Sequence, residues 1–169
     1  MAFRIRLEKE NFKFSCSHFT IFGPSRAEAL HGHNYYVSVE LKLASLDPKL
    51  GMAFDFNLVK PLVRAVADRL DERVLVPENS PYLTIQKSAD RIVATYGAKK
   101  YDLPAADVIL LPVVNVTSEE LARHFADELL KGLAPHPESL ARVESVTVGI
   151  EETRGQSVYY DLILRLPGG

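Results

Sequence analysis

Three histidines stand where two neighbouring strands could bring them together. Leu30-His31-Gly32-His33-Asn34-Tyr35 opens a segment that alternates like a strand, and His18 ends the alternating segment before it. Side chains two apart on a strand share a face, so His31 and His33 point the same way and Gly32 adds no bulk between them. In Phe12-Lys13-Phe14-Ser15-Cys16-Ser17-His18 the same period puts His18 on a face with Phe12, Phe14 and Cys16. If the two strands pair, three imidazoles converge. Three neutral histidines leave a tetrahedral zinc one open position for water or substrate, the signature of a catalytic rather than a structural site. The competing reading is a pair of solvent-facing histidines; the third at the end of the preceding strand tilts the balance toward metal.

The elements that must position these rings are legible in the same way. Residues 3 to 20 and 33 to 43 alternate, the second with Tyr35, Val37, Val39 and Leu41 on one face and Tyr36, Ser38, Glu40 and Lys42 on the other. Two antiparallel strands joined by a loop at 21 to 30 are expected. Asp55-Phe56-Asn57-Leu58-Val59-Lys60-Pro61 begins a helix whose Leu58, Leu62, Val63, Val66 and Leu70 follow helical spacing, its start held within about a turn of Pro61. Thr117-Ser118-Glu119-Glu120 reads as a capping box, with Val116 and Leu121 as the hydrophobic staple and Leu121, Phe125, Leu129 and Leu133 as the buried stripe.

Residues 77 to 112, with Pro77, Pro81, Pro104 and Pro112, read as an inserted excursion or hairpin between the helices, carrying apolar stretches at 91–96 and 108–111. Val146, Val148 and Ile150 then alternate into Glu151-Glu152-Thr153, Arg154-Gly155-Gln156 turns, and Val158 to Leu166 makes a last strand. The order predicts an α+β fold, a four-stranded antiparallel sheet with two helices on one face.

With 169 residues and 47% hydrophobic content, the chain can bury one good core, and one domain over 1–169 is the simplest count. Twenty basic and 22 acidic residues give a net charge of -2, so no general attraction to nucleic acid or membrane follows. The start, Met1-Ala2-Phe3-Arg4-Ile5-Arg6-Leu7, lacks the apolar run of a signal peptide, and nothing approaches membrane-spanning length. Cys16, the single cysteine, can form no internal disulfide, in keeping with a reducing cytoplasm.

Taken in order, Phe14-Ser15-Cys16-Ser17-His18, Leu30-His31-Gly32-His33-Asn34-Tyr35, Asp55-Phe56 with Lys60, Leu70-Asp71, Thr117-Ser118-Glu119 and Glu152-Thr153 resemble the 6-pyruvoyl-tetrahydropterin and 6-carboxy-tetrahydropterin synthase family. The resemblance spans most of the chain apart from the excursion. It implies the tunnelling fold, in which sheets of several subunits close into a barrel, as a trimer or hexamer with sites between subunits. It implies zinc on His18, His31 and His33, and a pterin-like substrate anchored by Glu152, with Thr117 as a ring contact. A carboxylate can accept two N–H groups of such a ring in a paired geometry few side chains reproduce. Read without the resemblance, Glu152 is a strand-end charge, and capping alone explains Thr117.

The chain departs from the family pattern at the proton-transfer residues. Ala27 stands where bacterial members carry a cysteine, and the aspartate–histidine pair after the first helix reads Asp71-Glu72. Glu28, three residues before His31, instead resembles a branch in which Glu-x-Leu-His-Gly-His replaces the cysteine, associated with removing the pterin side chain to leave 6-hydroxymethyl-dihydropterin. Partial burial would raise the pKa of Glu28 toward the working range. Without the resemblance, Glu28 is a solvated loop charge. Glu72 is either a second acid or base or a helix-end charge, and Asp71 keeps its family position without its histidine. Cys16 is read as a packed core cysteine, with a thiol ligand or nucleophile as the alternative.

Three functions compete on this basis. The first is zinc-dependent, lyase-type processing of the side chain of a reduced pterin such as dihydroneopterin triphosphate, giving 6-hydroxymethyl-dihydropterin or a 6-pyruvoyl or 6-carboxy product. The second is a pterin- or purine-binding protein that has lost catalysis. The third is a structural module without metal.

Overall fold

The computed structural model describes residues 3–164. Strand β1 (Phe3–His18) lies antiparallel to β2 (His31–Leu43), as their shared alternation predicts, and the register sets Cys16 opposite His33 and His18 opposite His31. Helix α1 (Phe56–Leu70) and strand β3 (Arg73–Pro77) follow. Next come β4 (Thr84–Lys87), β5 (Arg91–Tyr96), β6 (Lys99–Pro104) and β7 (Val108–Leu111). The chain closes with α2 (Ser118–Leu133), the single turn α3 (Pro137–Leu140) and the hairpin of β8 (Val143–Thr153) and β9 (Gln156–Ile163). The expected end of the last strand at Leu166 lies outside the described residues.

The expected antiparallel set is present as β1-β2-β8-β9, but the sheet has six strands, in the order β7-β3-β1-β2-β8-β9. Strand β3 pairs with β1, and β7 with β3, both in parallel. Arg73-Val74-Leu75-Val76 and Val108-Ile109-Leu110-Leu111 are short continuous runs with no alternation, so their strand character shows only once each finds a neighbour. Parallel neighbours need a long crossover, and here the crossover is a sheet of its own, β4-β5-β6. The excursion is therefore a three-stranded antiparallel unit over 84–104, and β7, expected within it, belongs to the main sheet.

Asp55 caps α1, its carboxylate accepting the Asn57 N–H at 2.8 Å, so the helix begins a little over a turn before Pro61. Pro61 leaves one carbonyl of the first turns without its helical partner. Thr117 caps α2 by accepting the Glu120 N–H at 3.4 Å, while the Glu120 carboxylate turns to Arg123, so only half of the expected capping box forms. The staple pair Val116 and Leu121 is buried.

Both helices lie on one face of the sheet. Val59, Val63, Val66 and Leu70 of α1 and Leu121, Phe125, Leu129 and Leu133 of α2 pack on Phe12, Phe14, Tyr35, Val37, Val39, Leu41, Val146, Val148 and Ile150. Burial of each large side chain contributes about 1.5–3 kcal/mol, which makes this layer the main source of stability. Phe14 stacks between Tyr35 and Phe125, with ring centroids 5.1 and 5.6 Å away. Among the described residues, no helix is long and apolar enough to cross a membrane.

Candidate metal centre and ring cavity

His18, His31 and His33 sit at the end of the apolar face of β1 and β2, where the alternation that buries Phe14 and Tyr35 carries on to the strand ends. Their ligand-capable atoms all lie within 4.8 Å of one another. Ring centroids are 4.7 Å apart for His18–His31 and for His31–His33, and 5.3 Å for His18–His33. The Nδ1–H of His18 donates to the Val116 carbonyl at 3.0 Å, and that of His31 to the Ala29 carbonyl at 2.9 Å. A carbonyl can only accept, so Nδ1 carries the hydrogen in each ring and Nε2 is the nitrogen left to bind a metal, which for His18 would take the place of the Tyr35 hydroxyl. Burial holds the pKa of His18 below the ordinary histidine value, with His31 and His33 adding to the effect against the Val116 hydrogen bond and Glu152. The ring is therefore neutral, the form that binds metal. Three imidazoles whose ligand-capable atoms lie this close together fit zinc.

The anchor on His18 comes from the far side of the chain. Val116 precedes the α2 cap, and Asn115 ties that segment to the loop that follows β1 by accepting the Ile21 N–H at 3.1 Å and donating to the Ile21 carbonyl at 2.9 Å. The Tyr35 hydroxyl lies 3.0 Å from His18 Nε2. Burial first, and then the neighbouring Glu152, push the Tyr35 phenol well above its ordinary pKa, so it stays a neutral donor.

A cavity of about 440 Å³ opens beside the cluster, lined by His18, Phe22, Glu28, Thr117 and Glu152 among others. Glu28 Oε2 accepts the Thr20 N–H at 3.0 Å and lies 3.9 Å from His31 Nε2. Burial pushes the Glu28 pKa up, but the hydrogen bonds from Thr20, with a smaller contribution from the neighbouring His31 and His18, outweigh it and hold the carboxyl below its ordinary value. This reverses the expected upward shift, because hydrogen bonds to the charged form favour it. Glu28 is therefore held as a carboxylate beside the histidine cluster. Glu152 spans the cluster and α2, with Oε1 3.0 Å from His33 Nε2 and Oε2 accepting the Ser118 hydroxyl at 3.1 Å. Thr117 both caps α2 and lines the cavity.

Asp71 and Glu72 are placed elsewhere. Asp71 ends α1, its backbone N–H on Ala67 and its carboxylate accepting the Ser15 N–H at 2.7 Å. Glu72 holds φ at +55°, its N–H on the Ser15 carbonyl at 2.7 Å, and lines a separate cavity of about 490 Å³ with Cys16, His33 and Arg73. Neither Asp71 nor Glu72 is on the wall that carries Glu28, although His33 borders the cavity that Glu72 lines. Cys16 is buried outside the ligand cluster, and burial, then Glu152 and Asp71, push its thiol up to about 12. That is a packed thiol. Sequence reading did not assign the hydroxyls of Tyr35 and Ser118 to the site; Tyr35 continues the His31, His33 period, which was its one visible signal.

Residues 6–162 match the family model of 6-pyruvoyl tetrahydropterin synthase. The chain is 32% identical over 151 residues to a Methanocaldococcus jannaschii protein provisionally named 6-carboxy-5,6,7,8-tetrahydropterin synthase, covering 88% of each. It is 26% identical over 121 residues to the 6-carboxy-5,6,7,8-tetrahydropterin synthase of Rickettsia bellii, covering 72% of this chain and 78% of that one. The crystal structure of 6-pyruvoyl tetrahydropterin synthase from Plasmodium vivax superposes with a TM-score of 0.89 at 27% identity, over 97% of this chain and 99% of that one. Variants of the Plasmodium vivax protein in which a catalytic residue, a glutamate, is exchanged for alanine or cysteine superpose equally well, at 0.89.

Proposed function

This chain belongs to the 6-pyruvoyl tetrahydropterin synthase family, and from that premise we propose that it is a zinc-dependent lyase acting on the three-carbon side chain of a reduced pterin such as dihydroneopterin triphosphate. One observation carries the reading: Glu28, Glu152 and His18 line a single cavity, and His18 belongs to the three-histidine cluster. Zinc held by His18, His31 and His33 would supply Lewis-acid polarisation of the substrate's side-chain oxygens.

The chain's own residues divide the remaining work. Glu152 accepts the amino and amide N–H groups of the ring, and Ser118 orients its carboxylate from the first residue of α2. Thr117 offers its hydroxyl at the same wall. Glu28, ionised and aimed by the Thr20 N–H, takes a proton from the substrate side chain next to the metal. The resemblance of Glu28 to the branch in which a glutamate replaces the cysteine favours aldol-type cleavage to 6-hydroxymethyl-dihydropterin over the 6-pyruvoyl or 6-carboxy outcome. The catalytic glutamate of the Plasmodium vivax protein supports this choice of residue type. In this reading Asp71 and Glu72 have no direct part in the Glu28 step.

The working form is a cytoplasmic homo-oligomer, trimer or hexamer, with a neighbour completing the site. Strand β9 is an outer strand of the six-stranded sheet, and β1 meets β3 only at Cys16 and Ser17, which leaves edges that a second copy can pair.

The test is incubation of purified protein with dihydroneopterin triphosphate and zinc, followed by product identification by mass spectrometry. Turnover to 6-hydroxymethyl-dihydropterin is expected. No turnover above His31→Ala would overturn the enzyme reading for that substrate, and Glu152-dependent pterin binding without conversion would favour the binding protein instead.

A further inference from the structure

The excursion between the helices sits on the loop that carries Glu28. Strands β5 and β6 form a tight hairpin in which Tyr96 pairs with Lys99 across Gly97-Ala98, with Gly97 at φ +55°. That closing pair reaches the 21–30 loop at two points. Lys99 Nζ donates to the carbonyls of Ala27 at 3.0 Å and Glu28 at 2.8 Å, and the Tyr96 hydroxyl donates to the carbonyl of Gly23. Behind them, Tyr96 is buried with Phe19 and Ile21, against Ala27, Leu30, Leu83 and Tyr101, and Tyr101 stacks on Phe19 at 4.9 Å. On its inner side the loop is held by Thr20, which receives the Glu28 N–H at 2.9 Å and gives its own N–H to the Glu28 carboxylate.

Glu28 is thus gripped on both sides: Thr20 aims the carboxylate and Lys99 fixes the backbone that bears it. A loop of this length would otherwise sample many conformations, and a base must be held close to its productive geometry before a substrate arrives. The ammonium suits this role, since two of its three hydrogens go to consecutive carbonyls and leave the carboxylate free to accept a proton.

We infer that the tip of the excursion, through Lys99 and Tyr96, positions Glu28 for proton transfer, so that the β4-β5-β6 sheet is part of the catalytic apparatus. Lys99 and Tyr96 are positioning residues. The inference rests on the reading of Glu28 as the base, and the experiment separates the two.

Lys99→Met, which keeps the stem and removes the donors, is compared with Lys99→Arg, Glu28→Gln and the Glu28→Gln/Lys99→Met double variant, all zinc-loaded, with dihydroneopterin triphosphate. Lys99→Met is expected to lower kcat by about 10- to 100-fold, with KM and zinc content within about 2-fold of the parent. Lys99→Arg should restore most of the loss, and in the Glu28→Gln background Lys99→Met should cost no more than about 2-fold, because both act through one group. Hydrogen exchange should show faster exchange of the Phe22 and Glu28 amides in Lys99→Met and in Tyr96→Phe. Unchanged exchange, an unchanged kcat where Glu28→Gln is impaired, or full additivity in the double variant overturns the inference. An unimpaired Glu28→Gln overturns the base reading instead, and the exchange data then still decide whether the clamp exists.

Discussion

Replacing Glu28 by glutamine isolates proton transfer from structure, because the amide oxygen can take over the hydrogen bond from the Thr20 N–H at 3.0 Å. The stability cost is small. A hydrogen bond to a charged acceptor contributes about 1.5–3 kcal/mol and a neutral one about 0.5–1.5, a difference of about 1 kcal/mol before screening. The Glu28 side chain is 38% exposed, so solvent reduces that further. For a domain of this size, a loss of this order lowers Tm by no more than about 2–4 °C. The kinetic cost is much larger. A positioned general base contributes about 100- to 10,000-fold, or about 3–5 kcal/mol of barrier, and glutamine cannot accept the proton. The assay measures kcat and KM by product mass spectrometry at saturating zinc, with Tm and zinc content on the same samples. A kcat within about 3-fold of the parent at unchanged Tm and zinc would refute the assignment; so would a loss in kcat that simply tracks loss of metal.

Other expectations follow from the same geometry. Glu152→Gln exchanges one acceptor oxygen for an N–H₂ group facing ring donors, and should raise the Kd for a pterin by about 10- to 150-fold with zinc content unchanged, read by titration calorimetry. His31→Ala removes one of three ligands, so protein purified without added zinc should fall from about one ion per chain to near none by metal analysis. Burial lowers the pKa of His124 in the folded protein, with Arg69 and Lys131 adding to it and Glu128 and Asp127 opposing. The unfolded chain then binds a proton that the native one resists, so this stabilising contribution is complete above the ordinary histidine value of 6.5 and is lost as pH falls below it. Urea midpoints should therefore decline less between pH 7.5 and 5.5 in His124→Gln than in the parent; an identical decline would exclude His124 as a source.

The strand pairing and the histidine trio were legible because both follow from a period of two. The alternation that buries Phe12, Phe14 and Cys16 necessarily carries His18 to the same face, and Tyr35 to Leu41 do the same for His31 and His33. The α2 start was legible in Thr117, whose side chain can satisfy a helix N–H wherever the helix packs. The parallel strands were not, since Arg73–Pro77 and Val108–Leu111 have no period and become strands only by pairing with each other and with β1.

The candidate site divides along the same line. The period of two marked the three histidines, and the family resemblance marked Glu28, Asp71, Glu72, Glu152 and Thr117, as the residues with chemistry to offer. Only the tertiary structure shows that the Thr20 N–H aims the Glu28 carboxyl and helps hold its pKa below the ordinary value, and that Lys99 of a distant hairpin holds its backbone. It also decided that Asp71 and Glu72 serve the end of α1 and another cavity. Periodicity and capping are written over a few consecutive residues. The tertiary partners of a loop can lie about 70 residues away, as Lys99 does from Glu28, brought near by a sheet that no local pattern announces.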